Sequence, residues 1–374
     1  MSPSLVRNRD ADMNRSGIEL IEMMWKIMRE EIPHCLDKKT ELNVLVGISR
    51  TYDMTGYWEE ALEKYELARQ LAETIEENEM QANILRWMGH LRRKRGEWEL
   101  AMRCNEKSLS ICQRISYPLG EAYAYNNLGT NCFEMADWEK AAEYYDKSLA
   151  IAQDLREARL IAQINNNAGA MQHLRGNHEG AIVSYHQALL GYEREGDIRG
   201  LTQTYYNLAL SFEERGEDVE TTKNLEKGLE LADDVGEKNL LAMLYLIKAR
   251  VSGKAKDFTM ALSFAELAMR VFEELVDQPG IADAHRVKGT IYRWQERYDE
   301  GESCFRESIR LNRALKSALG LAEALLEYGM LLRDRGDVKG AREAWRESKV
   351  LYTDMEHREK VRQIENLIEK LAAS

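Results

Sequence analysis

Small and apolar residues recur with a spacing of 40 residues along most of this 374-residue chain. The first clear copy of the pattern is the segment 56–61, Gly-Tyr-Trp-Glu-Glu-Ala, and related segments follow at 96–101, 136–141 and 176–181. The last position of the segment is small in every copy but one: Ala61, Ala101, Ala141, Ala181, Thr221, Ala261, Gly301 and Ala341. Eight copies with no insertion between them predict a repeat protein.

A second small position lies twelve residues before the first. Its members are Ser49, Gly89, Gly129, Gly169, Ala209, Ala249, Gly289 and Gly329. Glycine inside a helix costs roughly 1 kcal/mol relative to alanine, so a repeated glycine indicates that another helix must pass close by. Four residues after the first small position, the one that begins with Ala61, a larger side chain often lies on the same helix face. These side chains are Tyr65, Tyr145, Tyr185, Leu225, Phe305 and Trp345.

Each repeat is therefore predicted to contain a helix A, a turn at the glycine, and a helix B. In the second repeat we expect helix A over about 81–95 and helix B over about 97–115. The turn glycine is expected to adopt a positive φ angle that ends helix A. Neither helix can bury its apolar stripe alone, so the repeats must stack.

The same register predicts the boundaries along the chain. Residues 1–14 are expected to be disordered, 15–40 to form an N-terminal capping helix, and 359–374 a C-terminal capping helix. Trp58, Trp98 and Trp138 follow the turns and are expected to be core residues. The eight repeats are expected at 41–80, 81–120, 121–160, 161–200, 201–240, 241–280, 281–320 and 321–358.

The pattern resembles the tetratricopeptide repeat, whose small, Ala and aromatic positions match Gly129, Ala141 and Tyr145, with Leu128 before the glycine. The usual repeat has about 34 residues. The longer repeat here is similar to the 40-residue subclass of Pins-type spindle-orientation scaffolds, kinesin light chains and Rap-type peptide receptors. The resemblance implies an all-α, right-handed superhelical solenoid of antiparallel helix pairs.

Several alternatives bear on that resemblance. HEAT repeats also have about 40 residues, but they do not explain the paired Gly and Ala positions or the turn glycine. Proteins of these three groups have further segments beside their repeats, and we expect none of those segments here. The chain is therefore not assigned to any one of the three groups. The resemblance implies protein–protein interaction, with an extended peptide segment held on a concave face lined by helix A.

Asparagine recurs at one helix A position in three consecutive repeats, at Asn127, Asn167 and Asn207. An asparagine amide can both donate to and accept from a peptide backbone, which indicates a partner-binding ladder. The alternative is that these amides connect adjacent helices of the chain itself. Neighbouring polar positions that are expected to face the same partner are Asn126, Gln163, Asn166 and Gln203.

Basic and aromatic residues on the same predicted face suggest what the partner carries. Arg86, His90 and Arg93 form a one-sided cluster, which is expected to pair with acidic groups of a partner or to be a solvated face beside Glu97 and Glu99. Arg286 and Arg293 form a similar cluster in the seventh repeat. Tyr123 and Phe133 are expected to anchor the partner, or to pack between repeats.

Composition narrows the function classes. The formal net charge of −12 argues against nucleic acid as the partner. No apolar stretch is long enough for a membrane span, and the five cysteines lack metal or disulfide spacing, which favours a reducing, cytoplasmic setting. No nucleotide-binding, metalloprotease or serine-hydrolase motif occurs, so we expect no enzyme, metal or cofactor. A monomeric adaptor is expected, with a peptide-sensing receptor that changes its superhelical shape, or a self-assembling array, as alternatives.

Overall fold

The computed structural model describes residues 37–135, 137–235 and 238–373, together with Met23, Trp25 and Lys26. These ranges contain 17 helices and no strand, so the predicted all-α class is confirmed. The predicted disordered segment 1–14 and most of the predicted cap at 15–40 lie outside the described residues. Trp25 is buried and packs with the core of the first repeat.

The helices alternate between the two predicted types, with short turns between them. The A helices are α1 (Lys38–Thr55), α3 (Asn78–Lys94), α5 (Pro118–Glu134), α7 (Ala158–Leu174), α9 (Ile198–Glu214), α11 (Lys238–Lys254), α13 (Gln278–Trp294) and α15 (Ala318–Arg335). The B helices are α2 (Trp58–Thr74), α4 (Trp98–Arg114), α6 (Trp138–Leu155), α8 (His178–Glu195), α10 (Asp218–Val235), α12 (Phe258–Leu275), α14 (Tyr298–Leu315) and α16 (Val338–Asp354). The last helix, α17 (Arg358–Ala373), packs on α16.

The chain divides into two compact units, which are described separately. Unit 1 is Met1–Glu157 and contains α1 to α6; unit 2 is Ala158–Ser374 and contains α7 to α17. Within each unit every A helix packs against the B helix that follows it.

A residue with a left-handed backbone ends the helices, as predicted for the turn glycines. Gly56, with φ of 84°, ends α1, and the Tyr57 N–H donates to the Tyr52 carbonyl at 3.0 Å, which satisfies a carbonyl at the helix end. The same geometry recurs at the turns between B and A helices, where non-glycine residues such as Val276, with φ of 57°, adopt it. The 40-residue period therefore consists of two 20-residue halves that end in the same way.

Acidic or amide side chains begin many of the helices. Asp277 Oδ1 accepts from the Gly280 N–H at 3.2 Å, and Asp337 Oδ1 accepts from the Gly340 N–H at 2.9 Å. These N-caps satisfy one of the amide groups that a helix leaves unpaired at its start.

The small positions lie where helix A crosses helix B. A methyl group at Gly129 would lie 2.8 Å from the Tyr145 ring, and one at Gly329 would lie 2.4 Å from Trp345 Nε1. Trp345 is fully buried, and its Nε1 donates to the Leu326 carbonyl at 3.1 Å. The predicted pairing of a missing side chain with a large one is therefore confirmed at these crossings.

The prediction for the three tryptophans is right at one position and wrong at two. Trp138 is 7% exposed and meets Phe133 edge to face, with ring centroids 5.6 Å apart. Trp58 is 39% exposed and Trp98 is 40% exposed. The positions equivalent to Phe133 in the preceding repeats are the charged residues Asp53 and Arg93, so no ring is present there to cover the indole.

Candidate functional site

The A helices form the inner layer of each unit. Successive A helices contact one another, α3 with α5 in unit 1 and α7 through α15 in unit 2, and no comparable contact joins successive B helices in the described part of the chain. Because the A layer is the more tightly packed, it lies on the inside of the curve of each unit. The predicted binding residues all lie on A helices.

In unit 1, Arg86 on α3 lies between aromatic rings. Its guanidinium carbon is 4.5 Å from the centre of the Tyr123 ring and 5.9 Å from that of Trp87. Its Nη2 donates to Asn83 Oδ1 at 3.2 Å, while its buried Nε has no hydrogen-bond partner. Burial lowers the pKa of Arg86, because removing a cation from water destabilises the charged form.

The rest of the predicted basic cluster is paired within unit 1. Arg93 Nη1 lies 3.0 Å from Glu134 Oε1, and its Nη2 lies 3.4 Å from His90 Nδ1. The neighbouring Lys94 is also paired, because its Nζ lies 3.4 Å from Asp53 Oδ1. Arg93 can therefore bind a partner's acidic group only in competition with Glu134.

The remaining predicted residues of unit 1 differ in what they contact. The side chain of Phe133 packs on Trp138, which favours its role in packing. Asn126 is buried, whereas Asn127 is half-buried and its amide has no hydrogen-bond partner among the described residues. Tyr123 supplies the ring beneath Arg86.

In unit 2, the predicted amides bond to one another across two A helices. Asn207 Nδ2 donates to Asn166 Oδ1 at 3.1 Å, and Gln203 Nε2 donates to Asn207 Oδ1 at 3.2 Å. Thr204 also donates to Asn166 Oδ1, at 3.2 Å. These contacts between α7 and α9 favour the structural alternative for Asn166 and Asn207. Asn167 and Gln163 lie half-buried on α7.

The inner face of unit 2 encloses a cavity of about 500 Å³. Its apolar lining includes Tyr206, Leu210, Met243, Phe272 and Trp294, which come from α9, α11, α12 and α13. Charged side chains surround this lining. They are Glu213, Glu214, Arg250, Lys254, Asp277, Asp283, Arg286, Glu323, Glu327 and Lys360.

Both arginines predicted for the seventh repeat are already paired. Arg286 Nη2 lies 2.9 Å from Glu323 Oε2 and 3.3 Å from Asp283 Oδ1. Arg293 Nη1 lies 3.2 Å from Asp334 Oδ2, and its Nη2 lies 3.6 Å from Glu327. These two arginines therefore do not form an unpaired basic cluster.

Burial and charge act in opposite directions on these carboxyl groups. Burial raises the pKa of Glu323, and the Asp283 carboxylate adds to this, although Arg286 opposes it. Burial also acts on Glu213, but Arg250 donates to it through Nε at 2.9 Å and Nη2 at 2.6 Å, so the pKa of Glu213 is lowered.

Sequence reasoning did not single out most of these acidic partners. Glu323 and Glu327 occupy the same repeat positions as Asn83 and Trp87, and Arg250 occupies that of His90. The 40-residue period is the signal that points to these residues. The helix A positions predicted to face inward in the second repeat recur in the sixth to eighth repeats. Whether such a residue pairs inside the chain depends on the neighbouring repeat.

The C-terminal helix closes unit 2 on its own first helices. Lys360 Nζ lies 2.6 Å from Glu214 Oε2 on α9, and Glu359 Oε2 lies 3.3 Å from His178 Nε2 on α8. A methyl group at Gly176 would lie 3.0 Å from Glu359 Cβ, which shows how closely this turn approaches α17. One end of the inner face of unit 2 is therefore in contact with the other.

Histidines lie beside this closure. His173 Nδ1 is 2.9 Å from Ser211 Oγ and 3.2 Å from His178 Nδ1. Burial and the neighbouring charge of His178 lower the pKa of His173 to about 4. Burial and the Lys360 charge lower the pKa of His357 to about 4 as well.

The remaining features of the described ranges concern metal ligands, membrane spans and cysteines. No three His, Cys, Asp or Glu side chains lie close enough together there to hold a metal ion. No described helix is both long and apolar enough to cross a membrane. Four of the five cysteines, Cys104, Cys112, Cys132 and Cys304, are free thiols, and Cys35 lies outside the described residues.

Residues 80–154 match the family model described as tetratricopeptide repeat. Residues 80–154 therefore contain tetratricopeptide repeats. The matched segment covers part of unit 1, and the same helix pair recurs through unit 2. No curated protein matches the sequence.

Solved tetratricopeptide-repeat structures are similar over most of the chain. The apo form of the quorum sensor NprR from B. thuringiensis is 14% identical, with a TM-score of 0.63 over 93% of this chain and 99% of that one. Aspartyl phosphate phosphatase F from Bacillus subtilis is 13% identical, with a TM-score of 0.62 over 94% of each chain. A Rap protein complexed with competence and sporulation factor is 15% identical, with a TM-score of 0.56 over 90% of this chain and 98% of that one. At these identities the likeness is one of fold, and it confirms the resemblance to Rap-type proteins.

Proposed function

We propose that the protein is an interaction scaffold that holds an extended peptide segment of a partner against its A helices. The observation that carries this proposal is the cavity of about 500 Å³ on the inner face of unit 2. A volume of this size, with an apolar lining and polar groups around it, is typical of a ligand pocket. Leu210, Met243 and Trp294 offer an apolar surface for side chains of the bound segment.

The fold relatives support a binding role by analogy. One similar structure is described as a complex with a competence and sporulation factor, and another as a quorum sensor. These descriptions concern those proteins, and the analogy is one of fold. We propose no catalytic role for the present chain.

The proposal is tested by blocking the cavity. Peptides would be selected from a random phage-displayed library against the full chain, and their Kd values measured by calorimetry. Met243→Trp places a larger side chain in the cavity of unit 2, whereas Met260→Trp makes the same change at a residue of helix α12 that is 47% exposed. We expect the first variant to weaken binding by about ten-fold or more and the second to leave it unchanged.

Circular dichroism of both variants would establish that they are folded. Equal affinity of the selected peptides for the wild type and for Met243→Trp would exclude the cavity as the binding site. Sedimentation equilibrium of the wild type would test the expected monomer, and assembly at increasing concentration would favour the self-assembling array.

A peptide-sensing receptor is the second candidate, and the closure of unit 2 favours it. The contacts of Lys360 with Glu214 and of Glu359 with His178 join helices that are far apart in sequence, so a change of superhelical pitch must alter them. A ligand that binds one arrangement better than the other would shift the balance between them. Hydrogen exchange in α17 should then change when a selected peptide binds, whereas a rigid scaffold would show the same exchange with and without it.

A further inference from the structure

Two arginines of unit 1 converge on one tryptophan ring. The guanidinium carbon of Arg50 on α1 lies 5.4 Å from the centre of the Trp87 ring, and that of Arg86 on α3 lies 5.9 Å from it. Arg86 also lies over the Tyr123 ring of α5, at 4.5 Å. Three successive A helices therefore bring two like charges and two aromatic rings together.

Neither arginine has a carboxylate partner among the residues that the structure describes. Other arginines of α3 do have such partners, because Arg92 lies 2.9 Å from Glu97 and Arg93 lies 3.0 Å from Glu134. Two arginines without ion-pair partners are unexpected in a chain with a formal net charge of −12. Carboxylates are abundant in this protein, yet within the described ranges none forms an ion pair with Arg50 or Arg86.

An uncompensated cation in a buried place is costly, and a second cation nearby adds repulsion. The aromatic faces of Trp87 and Tyr123 offset part of this cost through cation–π attraction. The two rings leave hydrogen-bond donors of Arg86 unused. Among the described residues, Arg86 bonds to Asn83 alone, through Nη2, and its Nε has no acceptor. Arg50 is exposed and approachable from solvent.

We infer that Arg50 and Arg86, held by Trp87 and Tyr123, form a binding site for a carboxylate of a partner's peptide segment. A carboxylate suits this arrangement, because a guanidinium binds it through two parallel hydrogen bonds and a second guanidinium supplies additional charge. The carboxylate can come from an Asp or Glu side chain or from a chain terminus. This inference rests on the proposed scaffold function, but it assigns a different site, in unit 1.

The sequence pointed to Arg86 and Arg93 for an acidic partner. The structure replaces Arg93, which Glu134 neutralises, with Arg50. Arg50 occupies the same repeat position as His90, one repeat earlier, so the 40-residue period is the sequence signal that points to it.

Three fluorescein-labelled hexapeptides would be titrated with the full chain and followed by anisotropy. The first contains two Glu residues and an amidated C-terminus, the second has Gln in place of Glu, and the third has Gln with a free C-terminal carboxylate. Binding of the first and not the third identifies side-chain carboxylates as the ligand, and the reverse identifies the chain terminus. The second peptide is expected not to bind in either case.

Variants locate the binding. Arg50→Gln and Arg86→Gln should each weaken binding of the carboxylate peptide by about ten-fold or more, because each removes a charge-assisted hydrogen bond. Arg103→Gln is the matched control, since Arg103 is an exposed residue of α4 and its loss changes the net charge equally. Equal affinity in all four proteins, or no binding of either carboxylate peptide at millimolar concentration, would overturn the inference.

A measurement on the wild type guards against a misfolded Arg86 variant. The Nε–Hε signals of the arginine side chains would be recorded by ¹⁵N NMR during titration with sodium glutarate, with the Arg50 signal assigned from its variant. We expect the Arg50 and Arg86 signals to shift and saturate, while the Arg103 signal does not. Unshifted signals would refute the site, even if peptides selected for the cavity of unit 2 still bound, so the scaffold proposal and this inference can fail separately.

Discussion

Lys360 Nζ lies 2.6 Å from Glu214 Oε2, although the two residues are 146 positions apart in the sequence. The contact joins the last helix to the third helix of unit 2, so the inner face of this unit has a closed end. Burial raises the pKa of Glu214, but the Lys360 charge and hydrogen bond outweigh it and lower that pKa to about 2. The carboxylate is therefore held in its charged form by the helix that closes the unit.

Lys360→Met should destabilise unit 2, because it leaves the Glu214 carboxylate without its cation. Glu214 is 40% exposed in its side chain, so solvent screening limits the expected loss to about 1 kcal/mol of unfolding free energy. Since the pKa of Glu214 is lowered in the folded chain, the contribution is complete above about pH 4.5 and is lost as the pH falls towards 2. Urea unfolding at pH 7 and pH 3 would measure it.

Lys339→Met is the control for this change. Lys339 is 90% exposed and lies 4.0 Å from Glu343 on the same helix. Its replacement should leave the unfolding free energy nearly unchanged. Equal effects of the two substitutions would show that the closing contact adds no stability.

Acidification below neutrality should weaken unit 2 through His173. Its pKa is lowered to about 4 in the folded chain by burial and by His178, and it also faces Glu214, His357 and Lys360. The unfolded chain takes up the proton first, so stability is complete above about pH 6.5 and is lost as the pH falls towards 4. His173→Gln should remove about 1–2 kcal/mol of the loss between pH 7 and pH 5, as measured by urea unfolding.

His186→Gln provides the comparison, because His186 is exposed on α8. This variant should keep the pH dependence of the wild type. An unaltered pH profile in the His173 variant would mean that His173 titrates normally in the folded chain.

Substitution of glycine by alanine should have opposite effects at two helix A positions. Gly129→Ala places a methyl group 2.8 Å from the Tyr145 ring and 3.2 Å from the Ala141 carbonyl, and should cost about 1–3 kcal/mol. Gly47→Ala meets nothing within 4 Å and should stabilise α1 by up to about 1 kcal/mol, because alanine is the better helix former. Thermal unfolding would show the Tm falling in the first variant and rising in the second. A rise in both would mean that the helices can separate without cost.

Val276→Gly should stabilise the protein, although glycine usually does not. Val276 has a φ of 57° and is 69% exposed, so its branched side chain is strained and contributes little to packing. Relief of this strain should gain about 1 kcal/mol after the greater entropy of unfolded glycine is subtracted. The Tm, measured by calorimetry, should rise.

Val183→Gly tests the same substitution inside a helix. Val183 is 54% exposed on α8 and has an ordinary helical backbone, so glycine there should cost roughly 0.5 kcal/mol. A fall in Tm for both variants would show that the turn at Val276 carries no strain.

The sequence by itself determined the repeat and its local geometry. Glycine has no side chain, which allows the close crossing of Gly129 with Tyr145 and the left-handed turn at Gly56. The helix period determines which residues share a face. These features depend on neighbours within about 20 positions, because each helix pair is a local unit. A single sequence with a strict period is sufficient to place them.

Only the tertiary structure decided which of the inward-facing groups are available. Asn207 donates to Asn166, Arg93 is neutralised by Glu134, and Arg50 has no counter-ion in the part of the chain that the structure describes. Each of these outcomes depends on what the adjacent repeat places opposite the residue, about 40 positions away. The contact of Lys360 with Glu214 depends on how several repeats curve together, because a small rotation per repeat must accumulate before the ends meet. The repeat pattern does not specify this accumulated rotation.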